Sequence, residues 1–99
     1  MKYVHLGRSN LVVSEFCLGT MMFGGKTSPE EATRIIARAV DAGVNFLDTA
    51  NSYTGSRSEE IVGQALQGMR DRVVLATKVS NRMGEGPNDL GISRFHLVR

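Results

Sequence analysis

Cysteine is nearly absent from this 99-residue sequence, which contains only Cys17. A single thiol cannot form a disulfide within the chain, so the reducing cytoplasm is the expected location. Long apolar runs are also missing, and none approaches the roughly 20 residues that a membrane-spanning helix needs. The first residues, Met1 to Val4, lack the basic start and apolar core of a secretory signal. These absences argue against membrane, secreted and disulfide-stabilised classes.

An excess of charge of one sign is missing too. Twelve Lys and Arg residues face ten Asp and Glu residues, and the two signs are mixed along the chain. The sequence has no basic stripe of the kind that nucleic-acid binding needs, so no nucleic-acid partner is expected. What remains is an ordinary globular composition, with 41% hydrophobic and 22% charged residues, and a length that fits one small domain.

The first part of the chain predicts short strands. Apolar runs at residues 3–6 and 11–14 flank Gly7-Arg8-Ser9-Asn10, which is typical of a β-hairpin. A third run, residues 16–19, ends at a glycine, and Cys17 is expected inside it as an inert buried thiol. Residues 21–27 are predicted to form a loop.

A strand and helix pattern then occurs twice. Ser28, Pro29 and Glu31 resemble a capping box at a helix start, and Gly43 is the expected helix end. Residues 44–47 predict a strand buried on both faces. In the second unit, Ser56 and Glu59 form another capping-box pattern. The second helix has an apolar face through Met69 and cations near its end at Arg70 and Arg72. After it, the sequence predicts a strand over residues 73–77, a loop over residues 81–91 and a third helix capped by Ser93.

This alternation indicates βαβ units with a parallel sheet, which is an α/β fold. A closed (β/α)8 barrel takes about 250 residues. Residues 1–99 are therefore interpreted as the N-terminal portion of a single (β/α)8 TIM-barrel domain, opened by a β-hairpin.

Three polar residues lie at or just past the predicted strand ends: Asp48, Tyr53 and Lys78. In a parallel barrel that face carries the active site. Together they describe a tunable general acid, because a carboxylate holds the lysine charged and the ammonium favours the phenolate form of a nearby tyrosine. Taken singly, such residues more often serve as a turn former, a packing group and a solvated charge, so the prediction depends on their joint placement.

The sequence also resembles a known family. Residues 43–50 (GVNFLDTA), then Tyr53, then residues 58–63 (SEEIVG), look like the signature of the aldo-keto reductases. Residues 74–79 (VLATKV) resemble the lysine strand of that family, and residues 6–9 with residues 18–20 resemble its hairpin and first barrel strand. Phe23-Gly24-Gly25 is most similar to the branch that includes potassium-channel beta subunits and bacterial relatives.

The resemblance implies an NADP-dependent oxidoreductase that reduces a small carbonyl substrate by hydride transfer. In that family the position of Tyr53 protonates the carbonyl oxygen, and Lys78 and Asp48 match its tuning partners. Thr20 and Met21 match positions at the nicotinamide end of the cofactor, with Lys26 near a further cofactor position. Asp48 is expected to contact the cofactor as well. Met21, Met22 and Phe23 either border the substrate or serve as packing. No metal is implied.

The chain departs from the family pattern in several places. The fourth catalytic residue, a histidine, is expected beyond residue 99, and neither His5 nor His96 fits it, so both are assigned to structure or solvent. Thr54 stands where a glycine often follows the tyrosine. Residues 1–99 alone are expected to be inactive, because most of the cofactor grip is missing.

Three alternatives stay open on the sequence. The protein is an enzyme, or a non-catalytic cofactor-binding subunit of the channel beta type, or the 99 residues are themselves a stable product. A homo-oligomer is compatible with all three. The physiological carbonyl and the choice between NADP and NAD are not encoded in these residues.

Overall fold

The computed structural model describes residues 1–98. Its elements are β1 (Tyr3–His5), β2 (Val12–Ser14), β3 (Leu18–Gly19), α1 (Pro29–Asp41), β4 (Phe46–Asp48), α2 (Arg57–Ala65), a 3₁₀ turn (Arg70–Arg72), β5 (Val74–Ala76) and α3 (Arg94–Leu97). Strands β1 and β2 form an antiparallel hairpin, and β3, β4 and β5 form a parallel sheet in that order. The predicted hairpin and βαβ units are confirmed.

Helix α1 begins where the capping pattern predicts it. The Oγ atom of Ser28 accepts a hydrogen bond from the Glu31 amide at 3.2 Å, and Pro29 is the first helical residue. The Glu31 carboxylate pairs instead with Arg34, one turn further along the helix. The cap therefore uses the serine half of the box, which satisfies one of the free amides of the first turn.

Gly43 ends α1 and also lets the hairpin approach. Its φ is 101°, a left-handed conformation that favours glycine, and its amide donates to the Val40 carbonyl at 3.0 Å. A Cβ atom at this position would lie 2.9 Å from the Cβ of Met1. The phenol of Tyr3 donates to the Gly43 carbonyl at 2.8 Å. The helix end and the hairpin are thus joined at one glycine.

Asn45 fixes the hairpin to the N-terminal end of β4. Its Oδ1 accepts from the Ser14 amide at 2.7 Å, and its Nδ2 donates to the Val12 carbonyl at 3.1 Å. This explains the polar residue inside an otherwise apolar run. Since the hairpin occupies this end of the sheet, the opposite, C-terminal end is the one left for chemistry.

The core lies between the parallel sheet and helices α1 and α2. Leu47, at the centre of β4, is fully buried. Successive strand residues point to opposite faces, so Phe46 and Asp48 lie on the face away from these helices and are half-buried. The prediction of a strand buried on both faces is wrong for the described residues, because α1 and α2 cover one face. The core is completed by Phe23, Ala32, Ile36, Val40, Ile61, Val62, Leu66 and Val73.

Two predicted elements are shorter in the structure. The third strand comprises only Leu18–Gly19, because the Ser14 hydroxyl donates to the Phe16 carbonyl at 2.6 Å and bends the chain before it. Helix α2 ends at Ala65, and Gly68 turns the chain with a φ of 83°. Leu66 is nevertheless buried in the core and Met69 packs against it, partly buried, so the predicted apolar face is confirmed through Met69.

Among residues 1–98, no helix combines the length and the apolar character that crossing a bilayer demands.

Candidate active site

Polar residues follow all three parallel strands at the same edge of the sheet. Asp48 is the last residue of β4, Thr20 directly follows β3, and Lys78 lies just past β5. The register pairs Gly19 with Asp48 and Asp48 with Ala76. Because parallel strands end side by side, this register brings their polar residues to one place.

Lys78 is the centre of the site. Its Nζ atom donates to both carboxylate oxygens of Asp48, at 2.9 and 2.7 Å, and to the Tyr53 hydroxyl at 3.0 Å. It also donates to the Thr49 carbonyl at 3.0 Å and lies 4.8 Å from the centroid of the Tyr53 ring. The structure therefore brings together the three residues that were predicted to act as a group.

These contacts favour the charged form of the lysine. The hydrogen bond to Asp48, and then the one to Tyr53, raises the pKa of Lys78 above the ordinary value of 10.5. The side chains remain accessible, with 51% of Lys78 and 34% of Asp48 exposed, so the pair is open to a ligand. Lys78 is thus an ammonium group at every physiological pH.

The hydroxyl of Tyr53 has its proton free for transfer. An ammonium group can only donate, so the 3.0 Å contact with Lys78 uses a lone pair of the phenol oxygen. Among residues 1–98, no acceptor is within hydrogen-bond distance of the phenolic proton. A bound molecule with an acceptor oxygen can therefore take that bond.

The loop that presents Tyr53 is tightly bonded to its surroundings. Thr54 has a left-handed φ of 49°, and its hydroxyl donates to the Phe23 carbonyl at 2.7 Å. Glycine adopts a positive φ without strain, which explains why the resembled family often has a glycine at this position. Thr54 adopts it because its hydroxyl has a buried backbone partner.

The predicted capping box at Ser56 is wrong. Ser56 has a φ of 77°, forms no cap, and donates its hydroxyl to the Asn51 carbonyl at 2.8 Å. The Thr54 hydroxyl instead accepts from the Ser58 amide at 3.0 Å, and the Glu59 carboxylate accepts from the Thr77 hydroxyl at 2.9 Å. The start of α2 is therefore bonded to the Tyr53 loop and to the end of β5.

Known proteins share the sequence pattern around these residues. The model of the Aldo/keto reductase family matches residues 15–99.

The chain belongs to the aldo/keto reductase family.

Two curated relatives illustrate the range of the family. A protein of rice (Oryza sativa subsp. japonica) named "Probable voltage-gated potassium channel subunit beta" is 44% identical over 102 residues, covering 99% of this chain and 31% of its own length. The uncharacterized oxidoreductase YrpG of Bacillus subtilis (strain 168) is 44% identical over 110 residues, covering 100% of this chain and 34% of its own. They confirm the predicted resemblance to the branch with channel beta subunits and bacterial proteins.

A solved structure shows the same architecture. The aldo-keto reductase of Bacillus halodurans in its holo form is 39% identical, with a TM-score of 0.83 over 98% of this chain and 33% of its own. The predicted fold class, an α/β N-terminal portion of a (β/α)8 barrel opened by a hairpin, is confirmed. The chain spans about a third of the length of these relatives.

The predicted cofactor residues of this aldo/keto reductase chain differ in accessibility. Met21 and Lys26 are exposed on the loop after β3, and Asp48 is half-buried at the sheet edge. Thr20 is buried, and its hydroxyl donates to the Asp48 carbonyl at 2.9 Å. Thr20 therefore supports the backbone that carries Asp48, and its contact with a cofactor stays a prediction.

The two apolar residues that follow Met21 differ clearly in exposure. Met22 is exposed, whereas Phe23 is only 4% exposed and belongs to the core between the sheet and α2. Phe23 is therefore a packing residue, and Met21 and Met22 remain the predicted apolar border of a substrate.

Cys17 is not inside a strand and is not buried, contrary to the prediction. It lies just before β3 with an exposed side chain, because the bend at Ser14 shortens that strand. Partial desolvation and, after it, the charge of Asp48 raise the pKa of the Cys17 thiol, against a weaker lowering by Lys78. A protonated thiol is unreactive. The raised pKa therefore lowers the fraction of reactive thiolate at Cys17 without abolishing it.

This environment makes alkylation of Cys17 depend on Asp48. In the Asp48→Asn variant, the charge that raises the thiol pKa is gone while the lysine remains. Carboxymethylation of Cys17 by iodoacetate at pH 8, followed by mass spectrometry, should be about two- to fivefold faster than in the unmodified protein. An equal or slower rate contradicts the electrostatic coupling between these residues.

The two histidines differ in their surroundings. His5 is exposed in β1, and His96 is buried at the start of α3, where its Nε2 has no hydrogen-bond partner among the described residues. His96 lines a cavity of about 350 Å³ with Asn51, Ser56 and Glu59. A second cavity, of about 280 Å³, is lined by both His96 and Lys78, and the assignment of His96 to structure stays a prediction. Within residues 1–98 no three His, Cys, Asp or Glu side chains are grouped as a metal ion requires.

A set of buried hydroxyls that the sequence does not predict lies next to the backbone of the ion pair. Thr49 and Ser58 are fully buried, and their hydroxyl oxygens lie 3.1 Å apart. The only signal in the sequence is that small hydroxylated residues follow the strand ends and start α2. Such residues are equally common in turns and caps, so their partners cannot be deduced without the fold.

Proposed function

We propose that this chain supplies the proton-donating part of an NADP-dependent carbonyl reductase. The substrate is a small aldehyde or ketone, which becomes an alcohol. The observation that supports this most directly is the Lys78 ammonium, 3.0 Å from the Tyr53 hydroxyl and 2.7 Å from the Asp48 carboxylate. Membership of the aldo/keto reductase family supports the same proposal.

The residues at the sheet edge fit a nicotinamide cofactor. Met21 is more than half exposed and directly follows Thr20, whose amide and hydroxyl bond the Asp48 carbonyl, so this edge of the sheet offers both an apolar side chain and an accessible carboxylate. A neutral ring with a polar carboxamide suits such a combination. Met21, Lys26 and Asp48 are proposed to contact the cofactor, with Thr20 holding the Asp48 backbone. When bound, the cofactor supplies the hydride that the carbonyl carbon receives.

Tyr53 is proposed to donate its proton to the carbonyl oxygen. A free phenol is a weak acid at neutral pH, so the phenolate left behind needs a compensating charge. The Lys78 ammonium provides that charge at 3.0 Å, and the Asp48 carboxylate holds the ammonium in place. Proton donation by a positioned side chain contributes about 10² to 10⁴ in rate.

The test is turnover by the whole protein that contains this chain. Oxidation of NADPH, followed at 340 nm with a panel of aldehydes and ketones, should exceed the rate without substrate, and NADH should be a poorer reductant. Cofactor binding without turnover of any carbonyl would favour the alternative, a non-catalytic subunit of the kind that the name of the rice relative describes. A protein that neither binds the cofactor nor turns over a carbonyl would overturn both proposals.

Location and partners are also proposed. A location in the reducing cytoplasm is supported by the single cysteine in the sequence. A small molecule is the proposed partner, and a homo-oligomer is compatible with the exposed surface.

A further inference from the structure

Three buried hydroxyls form a cluster under the ion pair. Thr20, Thr49 and Ser58 are at most 1% exposed, and they come from the ends of β3 and β4 and from the second residue of α2. The Ser58 oxygen lies 2.9 Å from that of Thr20 and 3.1 Å from that of Thr49. One serine thus joins three separate elements at the catalytic end of the sheet.

The hydrogen bonds of this cluster have a preferred direction. The Ser58 hydroxyl donates to the Thr20 carbonyl at 2.6 Å, and the Thr20 hydroxyl donates to the Asp48 carbonyl at 2.9 Å. Each hydroxyl has one proton, so the contact at 3.1 Å is donated by Thr49 to Ser58. Ser58 therefore both accepts from the β4 end and donates to the β3 end.

The backbone of Ser58 is bonded on the opposite side to the Tyr53 loop. Its amide donates to the Thr54 hydroxyl at 3.0 Å and to the Tyr53 carbonyl at 3.3 Å. A single residue consequently connects the loop that presents the phenol with the strand that presents the carboxylate.

The peptide group between Asp48 and Thr49 is the part of the site that this cluster fixes. The Asp48 carbonyl accepts from both the amide and the hydroxyl of Thr20, at 3.1 and 2.9 Å. The Thr49 carbonyl accepts from the Lys78 ammonium at 3.0 Å. A shift of this peptide moves the groups on either side of it, the Asp48 carboxylate and the Thr49 carbonyl, which both accept hydrogen bonds from Lys78.

Packing alone does not require hydroxyls here. Replacing buried hydrogen-bonded partners together by apolar groups of the same shape can be nearly neutral for stability. A connected set of hydroxyls adds a fixed orientation that apolar contacts lack, because hydrogen bonds depend on angle. The polar cluster is therefore suited to orienting the groups above it.

We infer that Ser58 is a positioning residue that sets the Tyr53 hydroxyl and the Asp48 carboxylate at their distances from Lys78. The inference rests on the proposed function for its kinetic consequence, but its structural consequence can be measured without turnover.

The kinetic test compares Ser58→Ala with Ser14→Ala in the whole protein. Ser14 is a matched control, because it is 2% exposed and its hydroxyl also bonds a backbone carbonyl, but it lies at the hairpin end of the sheet. Both variants should melt several degrees lower, because each loses the hydrogen bonds that one buried hydroxyl donates and accepts. Only Ser58→Ala should also lose kcat, by about 10- to 100-fold with a KM changed less than threefold, since it misplaces the proton donor.

The second measurement is independent of turnover. The titration of Lys78, followed by NMR of its Cε carbon and assigned with Lys78→Met, should move down towards 10.5 in Ser58→Ala, because the hydrogen bonds that raise its pKa become longer. Ser14→Ala should leave it unchanged. If Ser58→Ala does not fold, Thr49→Val, which keeps the volume and removes the donor to Ser58, should give the same direction of change.

The outcomes separate the two proposals. A lowered Lys78 titration in a protein without turnover supports the positioning role and overturns the proposed function. An unchanged Lys78 titration in a folded Ser58 or Thr49 variant overturns the positioning role, whatever the rate. A kcat loss equal in Ser58→Ala and Ser14→Ala also overturns it, since the effect then follows stability.

Discussion

Replacing Tyr53 with phenylalanine should lower kcat for carbonyl reduction by about 10² to 10⁴, the range for loss of a positioned general acid. The variant keeps the ring and removes only the hydroxyl that lies 3.0 Å from the Lys78 ammonium. KM should change less than kcat, because the proton is transferred in the transition state. The measurement is steady-state oxidation of NADPH by the whole protein with its best aldehyde.

The chain offers a matched control for this variant. It contains two tyrosines, and Tyr3 is the other one. The Tyr3 hydroxyl donates to the Gly43 carbonyl at 2.8 Å, at the hairpin end of the sheet. Tyr3→Phe should cost about 0.5–1.5 kcal/mol of stability, the net value of one hydrogen bond, and leave kcat within a factor of about two. Near-normal turnover in Tyr53→Phe would remove that residue from the mechanism.

The alternation of strands and helices could be predicted because the signals for it are local. The pattern of Ser28, Pro29 and Gly43 marks one helix from both ends, and each has the predicted role in the structure. The strand-end rule then places Asp48 and Lys78 together without any knowledge of side-chain contacts. What the rule could not supply is the 3.0 Å contact between Lys78 and Tyr53, because it depends on the conformation of a loop.

Two of the errors, at Cys17 and at Ser56, have a common physical origin in side-chain hydroxyls. Ser14 bonds the Phe16 carbonyl and shortens β3, which leaves Cys17 exposed. Ser56 bonds the Asn51 carbonyl and cannot cap α2, a role that passes to the hydroxyl of Thr54. A hydroxyl chooses among several nearby backbone partners, and the choice is made by the tertiary fold. Sequence spacing alone therefore predicts the hydrogen-bond partners of serine and threonine hydroxyls poorly.

Family resemblance and physical reasoning contributed different parts of the site. The resemblance assigned Thr20 to the cofactor, whereas the structure shows a buried hydroxyl bonded to the Asp48 carbonyl. The two statements are compatible, since a residue that fixes the backbone of Asp48 also shapes the surface that a cofactor meets. In the sequence Ser58 is only one residue of a motif, and its connection to three elements is visible only in the distances.

Replacing Lys78 with methionine should be nearly as damaging to turnover as the loss of Tyr53. Methionine approximates the length of the side chain but carries no charge, so the phenolate left by Tyr53 has no counterion. We expect kcat to fall by about 10² to 10³ at pH 7, within the range for acid–base groups. Lys2→Met is the matched control, because Lys2 is exposed next to the hairpin and far from the sheet edge in sequence. It should turn over at the normal rate.

The same variant has a distinct effect on the dependence of stability on pH. The pKa of Lys78 in the folded protein is raised above 10.5, so folding binds this proton more tightly than the unfolded chain does. The stabilising contribution is therefore complete below about pH 10.5 and is lost as the pH rises through the higher folded value. Since 51% of the lysine side chain is exposed, the contribution is no more than about 1 kcal/mol.

Urea unfolding between pH 8 and pH 11.5 measures this contribution. The free energy of unfolding should decline above pH 10.5 in the protein and in Lys2→Met, and the decline should be smaller in Lys78→Met. If Lys78→Met loses turnover but keeps the full alkaline decline, the lysine acts in the reaction without being held by Asp48 in the folded state. If turnover is retained, Tyr53 donates its proton without help from the ammonium. The two measurements together separate the charge that stabilises the site from the charge that serves the reaction.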